Sequence, residues 1–122
     1  MSHIVQIKTQ VRDEAAVRST CDRLGLSPPQ YGTAKLYSRS AEGLIVKLPE
    51  WTYPVVFDTQ SGEAKYDNYN GRWGEQSKLK NFLQTYACEK AKLEARRNGY
   101  TCVEQPLEDG SVKLTIQVGG AG

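Results

Sequence analysis

The sequence predicts an α+β fold: a mainly antiparallel sheet with one short and one long helix packed on one face, in the order β-α-β(3-4)-α-β-β. Three observations lead there. Apolar residues alternate with polar ones near both ends of the chain, the period of a half-buried strand. Two other windows carry apolar residues at the three-four spacing of a helix face. Strands and helices do not alternate regularly, so a doubly wound parallel sheet is not expected.

Val5, Ile7, Thr9 and Val11 alternate with Gln6, Lys8 and Gln10 and read as the first strand. Asp13 follows as a helix N-cap, since its carboxylate can accept from free first-turn amides. Glu14 suits the positive end of the helix dipole. Val17, Cys21 and Leu24 share one face of this short helix, and Gly25 is placed to end it in a left-handed conformation. Ser27-Pro28-Pro29 excludes its continuation.

Three or four strands are expected next. The candidates are Thr33 to Tyr37, Leu44 to Leu48, Val55 to Phe57 and Glu63 to Tyr66, the last two joined by the turn cluster 58–62. Pro49 and Pro54 bracket Trp51 and Tyr53 in an irregular connection. Tyr66 to Gly74 reads as an aromatic-rich loop built on the Asn70-Gly71 turn signal.

Glu75 to Asn98 is the clearest element. Leu79, Phe82, Leu83, Tyr86, Lys90, Leu93 and Arg97 fall on one helical face. Lys90 and Arg97 can cover that face with their stems while their charges stay wet. Arg96 and Arg97 suit the negative end of the dipole, and Asn98-Gly99 is a stop signal. At ~1.5 Å per residue the helix runs about 36 Å, long enough to cross a sheet. Tyr100 to Gln105, a turn at Glu108-Asp109-Gly110-Ser111, and the alternating Val112, Leu114, Ile116 and Val118 predict a closing hairpin. Residues 1–118 read as a single domain and Gly119-Gly120-Ala121-Gly122 as a flexible tail.

Composition narrows the function classes. The chain has 122 residues, of which 39% are hydrophobic and 25% charged, ordinary globular values for one domain. The net charge of +2 is too small to demand a nucleic-acid or membrane partner. No apolar run reaches the ~18–20 residues of a membrane helix, and the N-terminus lacks the pattern of a signal peptide. A cytoplasmic protein is expected. Cys21, Cys88 and Cys102 are odd in number, widely spaced and without a C-x-x-C pair, so they are read as mostly buried thiols in a reducing compartment.

Met1-Ser2-His3 with Ile7-Lys8-Thr9-Gln10-Val11, and then Phe82-Leu83, Tyr86-Ala87, Gly99-Tyr100, Glu104 and Asp109-Gly110-Ser111-Val112-Lys113-Leu114, carry a resemblance. They resemble a family of small proteins of algal plastids, cyanobacteria and other bacteria, described as a hypothetical chloroplast reading frame or domain of unknown function. The likeness covers roughly residues 1–25 and 66–118; the stretch between Leu26 and Lys65 does not match. The family brings no catalytic residues with it. Related bacterial genes often lie beside genes for AAA-type ATPases, an association that makes an ATPase one candidate partner and says nothing physical about these residues.

The residues supply few catalytic constellations. Nucleophilic catalysis needs a base, and the only histidine is His3 at the start of a strand. No G-x-S-x-G, P-loop or G-x-G-x-x-G occurs. Asp58, Glu63 and Asp67 flank a predicted hairpin and could converge on a cation, although turn chemistry explains them as well. No catalytic residue, metal or cofactor is assigned. The best candidate site is the loop with Tyr66, Tyr69, Arg72 and Trp73, because Tyr, Trp and Arg bury rigid area and still hydrogen-bond at the edge. The competing reading is that these rings cover one end of the core and that Trp73 staples the long helix.

Three functions are therefore weighed. The first is a non-enzymatic adaptor or accessory subunit that presents this loop and the long helix to a protein partner. The second is a small RNA- or DNA-binding domain, whose affinity would fall steeply with salt. The third is a small enzyme with a sheet-side pocket. The terminal diglycine also invites comparison with small protein modifiers, although the β–α opening differs from theirs. A monomer or a homodimer is expected, since either strand of the closing hairpin could pair with a second copy.

Overall fold

The computed structural model describes residues 4–118; His3 and the diglycine tail lie outside them. Its described elements are β1 (Val5–Lys8), α1 (Glu14–Arg23), β2 (Gln30–Lys35), β3 (Ser40–Val46), β4 (Val55–Asp58), β5 (Glu63–Tyr66), a 3-10 turn (Tyr69–Gly71), α2 (Gln76–Arg97), β6 (Thr101–Pro106) and β7 (Val112–Gln117). The chain is α+β, as its patterning predicts.

The first five strands form one antiparallel sheet in the order β1-β5-β4-β3-β2. Strand alternation gives it two unequal faces. Val5 and Ile7, Ala64 and Tyr66, Val55 and Phe57, and Leu44 and Val46 point to one side and meet Val17 and Cys21 of α1 and Leu79, Phe82 and Tyr86 of α2. Both helices thus lie on the same face. The Phe57 and Phe82 rings stack 5.6 Å apart at the centre of this core. The opposite face carries a smaller cluster of Ala34, Leu36, Ala41 and Val56, flanked by Ile4, Ile45 and Tyr53.

Local chemistry sets the helix ends where the sequence places them. Asp13 caps α1, its Oδ1 accepting from the Ala16 amide at 3.2 Å, and its Oδ2 takes the Arg97 guanidinium from the end of α2 at 3.1 Å. Burial works to raise the Asp13 pKa, but the Ala16 amide and Arg97 outweigh it, so the carboxyl stays below its usual value. Tyr86 adds a second tie between helix and strand end: its hydroxyl accepts from the amides of Arg12 and Asp13 at 3.2 and 3.1 Å. Gly99 ends α2 at φ 76°, a left-handed conformation that costs glycine nothing.

The closing hairpin does not join the main sheet. β6 and β7 form a separate two-stranded ribbon on α2. Such a ribbon is marginal alone; here Glu104 ties it to both helices. Its carboxylate takes Arg23 of α1 through two guanidinium nitrogens, at 2.8 and 2.5 Å, and the Cys88 thiol of α2 at 3.1 Å. Lys92 reaches Glu89 at 3.0 Å and Glu104 at 3.4 Å. No described helix is long and apolar enough to cross a membrane.

Candidate functional site

The aromatic loop is held by its own polar residues. Tyr66 is the last core-facing residue of β5, and Asp67 turns the chain away from the sheet. Asp67 Oδ1 accepts from the Tyr69 amide at 3.2 Å. Asn68 donates through Nδ2 to the Gly74 carbonyl at 3.1 Å and to Gln76 Oε1 at 2.9 Å, and its own carbonyl takes the Trp73 amide at 2.9 Å. The Thr52 amide bonds the Trp73 carbonyl at 2.8 Å, stitching the loop to the segment between β3 and β4. These bonds hold Tyr69 and Asn70 at φ 48° and 53°. Two successive left-handed residues, one of them a bulky aromatic, store backbone strain of about 1–2 kcal/mol each, and strain of this kind gathers at binding sites.

The strained turn delivers Trp73 into a group of tyrosines. Its ring centroid lies 4.7 Å from Tyr69, 5.0 Å from Tyr37 and 5.5 Å from Tyr53, all in tilted or edge-on arrangements. The Arg72 guanidinium sits 5.1 Å from the centre of the Tyr69 ring, a cation held against a negative π-face. Trp73, Tyr69 and Tyr53 are half-buried, and Tyr37 is 57% exposed. The result is a rigid aromatic corner with tyrosine edges facing water.

Tyr69, Arg72 and Trp73 therefore come together as the sequence suggests, and Tyr66 does not join them. It is 4% exposed, packed edge-on against Trp51 at 5.5 Å, with its hydroxyl accepting from Gln76 Nε2. The correction has a simple cause: Tyr66 shares the parity of Ala64 on β5 and so points toward the helices. Trp51, rather than Trp73, fastens the start of α2, its Nε1 donating to the Glu75 carbonyl at 3.0 Å. A Cβ on Gly74 would overlap the Trp51 indole, so glycine is needed there for close approach. Tyr37 and Tyr53 are the members that sequence reasoning missed. Tyr37 lies in the β2–β3 connection and Tyr53 before β4, and only the folded chain brings them to Trp73.

The acidic residues near the β4–β5 hairpin do not form a cation site. Asp58 and Glu63 face each other across the strands, but Asp58 Oδ1 accepts from the amides of Gln60 and Ser61, which lowers its pKa, and Glu63 takes Gln6 Nε2. Asp67 is 1% exposed beneath the aromatic loop, and its Oδ2 has no hydrogen-bond partner among the described residues.

A second polar cluster lies at the ribbon. Donor atoms of Cys88, Glu89 and Glu104 fall within 4.8 Å of one another, the spacing of metal ligands. Arg23 and Lys92 already neutralise both carboxylates there. Burial and the Glu104 carboxylate hold the Cys88 thiol above its usual pKa, hence protonated and a poor ligand. A concavity of about 480 Å³ opens beside the cluster, lined also by Ser19 and Asp22. Cys21 is fully buried, which pushes its pKa up to about 11. Cys88 and Cys102 are only half-buried, so burial of all three thiols is not observed.

No family model matches the chain, and neither a curated protein nor a solved structure matches it.

Proposed function

We propose that this chain is a cytosolic, non-enzymatic adaptor or accessory subunit that docks a protein partner on the corner formed by Tyr37, Tyr53, Tyr69, Arg72 and Trp73. The observation that carries this reading is the Trp73 cluster: large rings, half in water, fixed by a strained turn and topped by an arginine. A docking surface of this kind loses little side-chain entropy on binding, because the rings already pack against one another. The left-handed turn at Tyr69 and Asn70 is what brings the Tyr69 ring beside Trp73. The resemblance of the chain ends to the plastid and cyanobacterial family makes an AAA-type ATPase the first partner to test.

The experiment is affinity capture of the tagged chain from its own cells, compared with Tyr69→Ala and Trp73→Ala variants of unchanged helix content. A single partner captured by wild type and lost by both variants supports the proposal. Equal capture by all three removes the site.

A second reading rests on the Arg72–Tyr69 pair, since a guanidinium over a tyrosine ring also suits unpaired bases. It requires binding to single-stranded RNA or DNA that weakens as salt rises. No binding at ~50 mM salt would dismiss it.

A further inference from the structure

We infer that the free edge of β7 is a self-complementary surface on which a second copy of this chain pairs antiparallel, extending the β6–β7 ribbon to four strands. The inference is independent of the aromatic corner. Of the six large hydrophobic residues exposed on the described surface, four lie on this ribbon or its connections: Val103, Leu107, Ile116 and Val118. Ile116 is 41% and Val118 70% exposed, because α2 covers β6 more fully than β7.

The hydrogen-bond phase of the ribbon says which backbone groups are free. The Leu107 amide bonds the Ser111 carbonyl at 2.9 Å. With Gln105 opposite Lys113 and Val103 opposite Thr115, strict antiparallel alternation directs the groups of Lys113, Thr115 and Gln117 to β6. Those of Val112, Leu114 and Ile116 then point outward, without a ladder partner among the described residues. β7 contains no proline and one charge, Lys113, so it has little of the protection natural edges carry.

One two-fold register pairs the outward groups at the centre of β7. With Thr115 opposite Thr115 of the second copy, Leu114 meets Ile116 on both sides of the axis, pairs whose free backbone groups face each other and whose side chains are apolar. Val112 lies opposite Val118, one residue past the end of the strand. Lys113 meets Gln117, so no like charges are opposed. The two-fold axis runs perpendicular to the extended sheet, which leaves both α2 helices on one face with Ile116 and Val118 covered between them.

Sedimentation of the full chain, with Thr115→Cys and Ile116→Lys variants, tests this. Wild type should sediment at twice the 13.6 kDa chain mass. Ile116→Lys keeps its internal ladder and should weaken self-association by roughly a hundredfold, since each copy loses a buried isoleucine. Residues facing each other in a non-hydrogen-bonded pair sit ~4.5 Å apart, close enough for a disulfide. Mild oxidation of Thr115→Cys should therefore give a covalent dimer whose linked peptides join the two 115 positions. A monomeric wild type overturns the inference. So does a dimer that cross-links elsewhere or that Ile116→Lys leaves equally tight.

Discussion

The Glu104 carboxylate on β6 grips the Arg23 guanidinium at the end of α1 through both of its oxygens, across 81 residues of chain. This fork, with the Cys88 thiol and Lys92 beside it, joins the closing ribbon to the helical layer.

Glu104→Gln should loosen that junction. Arg23, then Cys88, hold the Glu104 pKa down at about 2 against an ordinary 4.5. A group depressed on folding contributes stability that is fully present above its unfolded pKa and is lost as pH falls through its folded one. The contribution is therefore intact above about pH 4.5 and fades toward about pH 2. Glu104→Gln should cost about 1–2 kcal/mol at pH 7, with the gap to wild type closing on acidification. Denaturant melts at several pH values measure it. An unchanged gap at low pH would show that charge is not what holds the ribbon. The same variant should speed alkylation of Cys88, which loses a neighbouring negative charge, and leave Cys21 protected.

Gly74→Ala should destabilise the chain by about 2–3 kcal/mol, because its Cβ would enter the Trp51 indole. The displaced indole would also lose its bond to the Glu75 carbonyl. Chemical denaturation followed by tryptophan fluorescence reads both effects. A variant as stable as wild type would mean that the indole moves aside freely.

Asp67→Ala should destabilise the chain by about 1–2 kcal/mol, because the Tyr69 amide loses the Oδ1 that accepts from it at the foot of the strained turn. Denaturant melts measure the difference. Unchanged stability would mean that the turn holds without this bond.

Much of this was legible in local patterning. Asp13, Gly25 and Gly99 mark helix ends through chemistry that acts within one turn, and Val112, Leu114 and Ile116 mark a strand through alternation alone. Strand ends were less clear: β2 begins at Gln30, three residues before the alternating run suggested, because it follows the register of β3. Tyr66 was misplaced because its aromatic neighbours resemble a loop, while its parity on β5 decides its direction. The contributions of Tyr37 and Tyr53 to the corner, and of Glu104 to the Arg23 fork, depend on contacts between distant segments and carry no local signal.

The docking role of the aromatic corner is tested most directly by hydroxyl-radical footprinting of the chain with its captured partner. Tyr37, Tyr69 and Trp73 should lose labelling on complex formation, while Tyr31, 64% exposed on the β2 edge, stays reactive. Unchanged labelling at the three corner rings, with protection at Tyr31 or elsewhere, would contradict the assignment.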